Sequence, residues 1–247
     1  MTGNDAASWV RVFHPNPDAA LRIVCFPHAG GAAPFFHSLS QALSGDFEVL
    51  SLQYPGRQDR RSEPFIDDIH VLADRVAKVL CRWTDRPLIF FGHSMGATLA
   101  YETALRLEPV GAGPTALFVS SRRSPNAVPV ELVHLRDDRG LLDEVKGLSG
   151  TESWMFDDPE IVEMILPVLR NDYRAVETYR HRPHRPLACP IFALVGDRDP
   201  KVAVDDMRDW RNFSAAGFEL NVFPGGHFYL TDNQEAVVQL LSRVAKA

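Results

Sequence analysis

Leu88-Ile89-Phe90-Phe91-Gly92-His93-Ser94-Met95-Gly96-Ala97-Thr98-Leu99-Ala100-Tyr101 is the stretch whose reading decides the fold. Four apolar residues run into a Gly-x-Ser-x-Gly turn with Ser94 at its apex, and a helix-forming run follows at once. The pattern predicts strand, sharp turn, helix. At such a turn the residues two before and two after the serine must be small, or strand and helix cannot approach. The helix that starts after Ser94 aims its unpaired N–H groups and positive dipole end at the spot where an oxyanion would form. A plain glycine-rich turn is the bland alternative, and the flanking strand and helix argue against it.

Outward from this turn, short apolar runs alternate with segments of helical period. Leu21 to Phe26, Phe47 to Leu52, Leu88 to Phe91, Ala116 to Val119, Ile191 to Val195 and Leu220 to Phe223 read as strands. Several are apolar on both faces, so the sheet they form is covered on both sides. Ile66, Ile69, Ala73, Val76, Val79, Leu80 and Trp83 recur at helical spacing, as do Leu99, Ala100, Ala104 and Leu105, and later Val237, Leu240, Leu241 and Val244. This alternation predicts an α/β architecture, a mostly parallel, doubly wound sheet. With the serine turn in place, the expected fold is that of the α/β-hydrolases.

One interval breaks the rhythm. About seventy residues separate the strand ending near Val119 from the one starting at Ile191, far more than a crossover helix needs. Asp158-Pro159 predicts a helix cap followed by proline at the first helical position. From there Ile161, Ile165, Val168, Leu169, Tyr173, Val176 and Tyr179 form one stripe, with a kink expected at Pro167. An earlier stripe runs through Leu132, Leu135, Leu141, Leu142, Val145 and Leu148. Residues 122–186 are therefore expected to be a helical lid insertion, and residues 1–121 with 187–247 the hydrolase core, one domain overall. The same stripes could pack on the main core, and one amphipathic helix can do both.

The 247 residues suit one such domain. A net charge of −6 argues against nucleic acid as the main partner, because phosphate binding leaves a basic footprint. Cys25, Cys81 and Cys189 have no Cys-x-x-Cys spacing and read as thiols of a reducing cytosol. Met1 to Asn16 lacks a basic stretch followed by an apolar one, and no run approaches a membrane span. A cytoplasmic protein, without membrane contact, is expected. The histidines lack metal-ligand spacing, so neither a metal nor another cofactor is expected.

A serine hydroxyl needs a base to take its proton, and the base needs an acid to orient it. In α/β-hydrolases the chain order is Ser, then Asp or Glu, then His. Among the histidines after Ser94, His134, His181 and His184 fall in the insertion. His227, in Pro224-Gly225-Gly226-His227-Phe228, lies just past the final strand, where the base belongs. For the acid, Val195-Gly196-Asp197-Arg198-Asp199-Pro200 offers two aspartates. The usual position, three beyond the glycine, selects Asp199; Asp197 is the runner-up, read as a turn former. One oxyanion donor is the N–H of Met95. The other is expected from the loop Phe26-Pro27-His28-Ala29-Gly30-Gly31, at Ala29. His28 is expected to organise that loop, and His93 to pack beside the nucleophile. Phe35 and Phe36 of the loop Ala33-Pro34-Phe35-Phe36, with Tyr173 of the lid stripe, are taken to shape the acyl pocket.

With these pieces in place, the chain resembles the type II thioesterases that accompany polyketide synthases and non-ribosomal peptide synthetases. The resemblance spans nearly the whole length. It rests on Phe26 to Gly31, Gln53-Tyr54-Pro55-Gly56-Arg57, Gly92 to Gly96, Asp172-Tyr173-Arg174-Ala175-Val176-Glu177-Thr178-Tyr179, Gly196 to Pro200 and Gly225-Gly226-His227-Phe228. The Pro-His-Ala-Gly-Gly and Tyr-Pro-Gly-Arg blocks are the diagnostic ones. The resemblance implies hydrolysis of acyl groups from the phosphopantetheine thiol of acyl or peptidyl carrier proteins, clearing aberrant or stalled units. It also implies the triad Ser94, Asp199 and His227, with Met95 and Ala29 as oxyanion hole.

Carrier proteins are generally acidic, so an acidic chain needs a local basic surface to dock one. Arg57, Arg60 and Arg61 are one candidate cluster, Arg122 with Arg123 a second, and Arg180, Arg182 and Arg185 a third; a solvated arginine face is the plain alternative. A lidded carboxylesterase or lipase acting on free oxygen esters would use the same triad. A non-catalytic binding protein on this fold would be expected to lack a triad member. The chain reads as a free-standing unit and a monomer.

Overall fold

In the computed structural model, which describes residues 8–128, 131–148 and 158–246, the strand before Ser94 occupies the centre of the sheet. The strands are β1 (Val10–Arg11), β2 (Arg22–Phe26), β3 (Glu48–Leu52), β4 (Leu88–His93), β5 (Ala116–Ser120), β6 (Ile191–Gly196) and β7 (Phe218–Phe223). Their order is β1-β3-β2-β4-β5-β6-β7; β1 pairs antiparallel with β3 and every other pairing is parallel. The doubly wound sheet read from the sequence is the one observed. β1, two residues of antiparallel edge, is the strand that reading did not foresee.

The double-faced apolar runs have a direct physical consequence. Val24, Phe26, Phe90, Leu117 and Val119 face one core, and Ile23, Cys25, Ile89, Phe91, Ala116 and Phe118 face the other. Helices α2 (Ile69–Leu80) and α3 (Met95–Leu107) cover the first face, whereas α1 (His37–Leu43) and a later helix cover the second. The period of two along each strand thus separates two cores. Each large side chain buried in either contributes about 1.5–3 kcal/mol relative to exposure. α2 begins where Asp68 accepts hydrogen bonds from the N–H groups of His70 and Val71, a cap worth roughly 1 kcal/mol.

The insertion contains α4 (Asp138–Gly147) and α5 (Pro159–Thr178). As the Asp-Pro pair predicts, Asp158 caps α5 by accepting the Glu160 N–H at 2.9 Å, with Pro159 at the first position. The helix runs on through Pro167. Its two halves have different neighbours. Leu169 and Ile165 join Val133 and Leu141 in a satellite cluster, while Ala175, Val176 and the following Tyr179 belong to the main core. Residues 129–130 and 149–157 of the insertion, and residues 1–7 of the N-terminal stretch, lie outside the described residues. α6 (Gln234–Ala245) buries Val237, Leu240 and Leu241 on the second face. Among the described residues, no helix is long and apolar enough to cross a membrane.

Candidate active site

Ser94 adopts φ 54° and ψ −120°, a conformation that a side chain rarely occupies. Its N–H is held by the Ser120 carbonyl of the neighbouring strand at 2.8 Å, which fixes the turn between β4 and α3. The small-residue requirement is visible as distances. A Cβ on Gly96 would lie 2.0 Å from the Phe26 carbonyl oxygen, and one on Gly92 2.3 Å from the Gly96 carbonyl oxygen. Met95 follows as the first residue of α3, where the N–H has no acceptor within the helix.

His227 sits past β7 with Nδ1 at 3.0 and 3.1 Å from the two carboxylate oxygens of Asp199, and both side chains are buried. That contact leaves Nε2 as the nitrogen free for chemistry. Burial works against ionisation of Asp199, but the hydrogen bond and charge of His227 and the N–H of Lys201 outweigh it. The carboxyl is held below its usual range. Asp197 turns elsewhere: its carboxylate accepts the Gly225 N–H at 2.8 Å, fastening the glycine loop that carries His227. Two residues unremarked in the sequence hold His227 and its surroundings. Ser121 donates to the His227 carbonyl at 3.2 Å, and Ser120 links Tyr229 (2.7 Å) to His93 Nδ1 (2.9 Å). His93 is buried with its ring 5.2 Å from that of His227, packing beside the site as expected. Burial, and the neighbouring His227 and His28, keep it neutral well below the ordinary histidine range.

Ser94, His227, Met95 and Ala29 all line one cleft, which encloses about 880 Å³ of empty space, part of it open to solvent. Tyr173, Val176 and Tyr179 of the insertion form part of its wall. Phe35 and Phe36, expected there, are not. Phe36 is fully buried in the second core, and Phe35 packs against His28, His93 and Phe228. Tyr173 is the one of the three that reaches the cleft. The apolar character of the two phenylalanines suits a core equally well, and the sequence held nothing to separate the alternatives.

The loop that carries Ala29 is fastened from behind. Asp172, on α5, accepts the Gly30 N–H at 2.8 Å and a two-point ion pair from Arg57 at 2.6 and 2.9 Å. Arg57 also donates to the Gly31 carbonyl at 3.1 Å, and the Gly31 N–H is taken by the His28 carbonyl at 2.9 Å. The Gly30 and Gly31 N–H groups are occupied, and Ala29 borders the cleft. His28 underlies the turn, 2.8 Å from where a Cβ on Gly31 would stand, consistent with an organising role.

The three arginine clusters fare differently. Arg57 and Arg60 are 6% and 2% exposed, so they are removed from any docking surface; Arg60 lies over the Trp9 ring and pairs with Glu63. Arg61, Arg180, Arg182 and Arg185 are exposed. Arg122 lines the cleft. His134 pairs with Glu177 inside the insertion, away from the base position.

The fold is that of the α/β-hydrolases, with a serine, a histidine and an aspartate where that class carries its chemistry. The chain belongs to the thioesterase family: the family described as Thioesterase domain matches residues 21–244. A probable cadicidin biosynthesis thioesterase of Streptomyces griseus is 50% identical over 232 residues, 94% of this chain but 64% of that relative, so the chain spans less than two thirds of its length. Thioesterase PikA5 of Streptomyces venezuelae is 47% identical over 240 residues, 96% of this chain and 85% of the relative. Among solved structures, the type II thioesterase BorB from the borrelidin biosynthetic cluster matches with a TM-score of 0.90 at 44% identity, covering 96% of this chain and 97% of that one. The chain is a hydrolase.

Proposed function

We propose that this chain hydrolyses acyl thioesters carried on the phosphopantetheine arm of acyl or peptidyl carrier proteins, releasing units that stall a polyketide or non-ribosomal peptide assembly line. Ser94 is the nucleophile, His227 its base and Asp199 the orienting acid. The observation that carries this reading is the buried Asp199–His227 contact on Nδ1 in a cleft that His227 shares with Ser94.

His227 takes the Ser94 proton through Nε2, and the serine oxygen attacks the thioester carbonyl carbon. The N–H groups of Met95 and Ala29 donate to the resulting oxyanion. The C–S bond breaks as the His227 imidazolium passes the serine proton to the departing thiolate, which leaves as the free thiol and returns His227 to its neutral form. Water then gives its proton to His227 and attacks the acyl-enzyme, which yields the free acid and restores Ser94. Asp199, held ionised, stabilises the imidazolium at both stages.

Residues 122–186 act as the lid of this site, over a core of residues 1–121 and 187–247; the cleft-lining side chains of α5 support that division. Exposed Arg180, Arg182 and Arg185 are the docking cluster for an acidic carrier, since the Arg57 cluster is largely buried. The free thiols of Cys25, Cys81 and Cys189 support a reducing, cytoplasmic setting, and the protein works as a monomer.

The test compares turnover of a butyryl thioester of pantetheine, the matching oxygen ester, and the same butyryl group on a carrier protein. The reading expects the thioester to be preferred over the oxygen ester and the carrier-bound form to have the lowest KM. Preference for the oxygen ester would assign the site to a lidded esterase instead. Charge reversal at Arg180 and Arg182 should raise KM for the carrier alone.

A further inference from the structure

The cleft contains four charged side chains besides the histidine and a cation that stands apart from them. Arg123 pairs with Asp206 at 3.1 Å, and Lys201 pairs with Glu131 at 2.6 Å and also with Glu144. Glu177 is occupied by the N–H groups of Val133 and His134 and by the His134 ring. Arg122 has no such partner: no carboxylate oxygen among the described residues lies within 4.0 Å of it. Among the described residues, its one side-chain bond runs from Nε to the Thr98 hydroxyl at 3.1 Å.

This guanidinium is nevertheless held in place. The chain leaves β5 through Ser121, at a strained φ of 49°, and this turn delivers Arg122 to the cleft wall. The Trp210 indole N–H donates to the Arg122 carbonyl at 2.7 Å, and Thr98, one helical turn after Ser94 on α3, anchors the other end. Partial burial in the cleft wall, followed by the nearby Arg123, pushes its pKa down to about 10, with no carboxylate beside it to offset the loss of water. Four of its five N–H donors therefore remain available on a planar fork suited to oxygen acceptors. A site that keeps a positive charge uncompensated beside a nucleophile is complementary to a ligand that brings the acceptor with it.

Taking the cleft as an acyl-thioester site, as proposed above, we infer that Arg122 is a specificity-determining residue that selects acyl groups bearing an oxygen acceptor, a carbonyl or carboxylate, close to the thioester. Its anchor Thr98 lies one helical turn from Ser94, and all three residues line the same cleft, so the acceptor belongs to the part of the acyl group near the reacting carbonyl. The phosphate at the far end of a pantetheine arm lies outside this reach.

Butyryl- and acetoacetyl-pantetheine have the same four-carbon chain and differ by one carbonyl oxygen, which makes them the probes. The wild-type chain should favour acetoacetyl. In Arg122→Met the ratio of kcat/KM for acetoacetyl over butyryl should fall by about tenfold to a hundredfold, the value of a hydrogen bond to a charged group. Arg122→Lys, which keeps the charge without the fork, should recover part of it and serves as the deciding variant if the methionine protein does not fold. A ratio unchanged in the folded variants overturns the inference, and so does an equal loss on both substrates, the outcome of a contact with the pantetheine amide or of disturbed packing. Calorimetric binding of the two probes to Ser94→Ala separates this from the functional reading. Failure of the wild type to turn over either thioester would sink the hydrolase assignment. Tighter binding of acetoacetyl- than butyryl-pantetheine, abolished by Arg122→Met, would still uphold the role of Arg122, and equal binding would refute it.

Discussion

Arg57 and Asp172, 115 positions apart in the chain, meet in a buried two-point ion pair at 2.6 and 2.9 Å that ties α5 to the loop carrying Ala29. The carboxylate also receives the Gly30 N–H, so a single side chain of α5 sets the orientation of the peptide next to Ala29. Packing of the insertion and geometry of the cleft are thereby linked.

Breaking this pair leaves a charge buried and unmatched. Asp172→Ala should destabilise the fold by about 3–5 kcal/mol and lower kcat more than it alters KM, because the loop donor is displaced while the cleft walls remain. Urea unfolding and steady-state kinetics on the same preparation check both. A stable variant with full kcat would show that the loop holds its shape without the clamp.

The elbow makes a sharper steric demand. Gly96→Ala places a methyl 2.0 Å from the Phe26 carbonyl oxygen, a backbone atom that cannot step aside, so soluble folded protein should be lost or its thermal midpoint greatly reduced. Gly147→Ala, where the added methyl meets nothing within 4 Å, should be neutral or stabilise by about 0.5–1 kcal/mol, from helix propensity alone. Circular dichroism melts of the two proteins, side by side, decide the matter.

Stability should fall on mild acidification. Burial, aided by the charge of His227, lowers the His28 pKa from 6.5 to about 3. Between those values the unfolded chain binds a proton that the folded chain refuses, so stability drops as pH falls through this window. One such group contributes a slope of at most about 1.4 kcal/mol per pH unit. His93 adds to it in the same direction. The ion-paired Asp199, held low, loses its contribution only below the usual carboxylate range. His28→Gln should flatten the dependence of urea-unfolding free energy on pH between 7 and 5 by up to one proton equivalent; an unchanged slope would contradict the assignment of a neutral, buried imidazole.

Phe36 and Tyr173 should respond in opposite ways. Phe36 is fully buried, and Phe36→Ala should cost about 3–5 kcal/mol with little change in the order of preferred acyl chains. Tyr173 borders the cleft, and Tyr173→Ala should reorder those preferences with a smaller stability loss. A panel of acyl-pantetheine thioesters, read with thermal melts, distinguishes the two roles.

Much of this molecule could be read from its residues because the decisive signals are local. The serine turn, the double-faced strands and the Asp-Pro helix start each depend on neighbours in sequence. Asp199 and His227 could be placed because chain order restricts the choice, and their positions after β6 and β7 follow from the same rhythm. The features that escaped depend on distant contacts. β1 is too short to show a period. Arg57 reads as part of a basic run until Asp172, on another element, is brought beside it. Arg122 reads as half of an Arg-Arg pair, yet its neighbour finds Asp206 while it faces the cleft. Phe35 and Phe36 are apolar in either setting, and only the packing of α1 against the second core decides between them.

The central claim is that Ser94, activated by His227, carries the acyl group. Intact-mass analysis of the protein after treatment with an acyl-fluorophosphonate, followed by peptide mapping, tests it most directly. The account predicts a single adduct on Ser94, absent in Ser94→Ala and formed orders of magnitude more slowly in His227→Ala. An adduct on another residue, or undiminished thioester hydrolysis by Ser94→Ala, would contradict it.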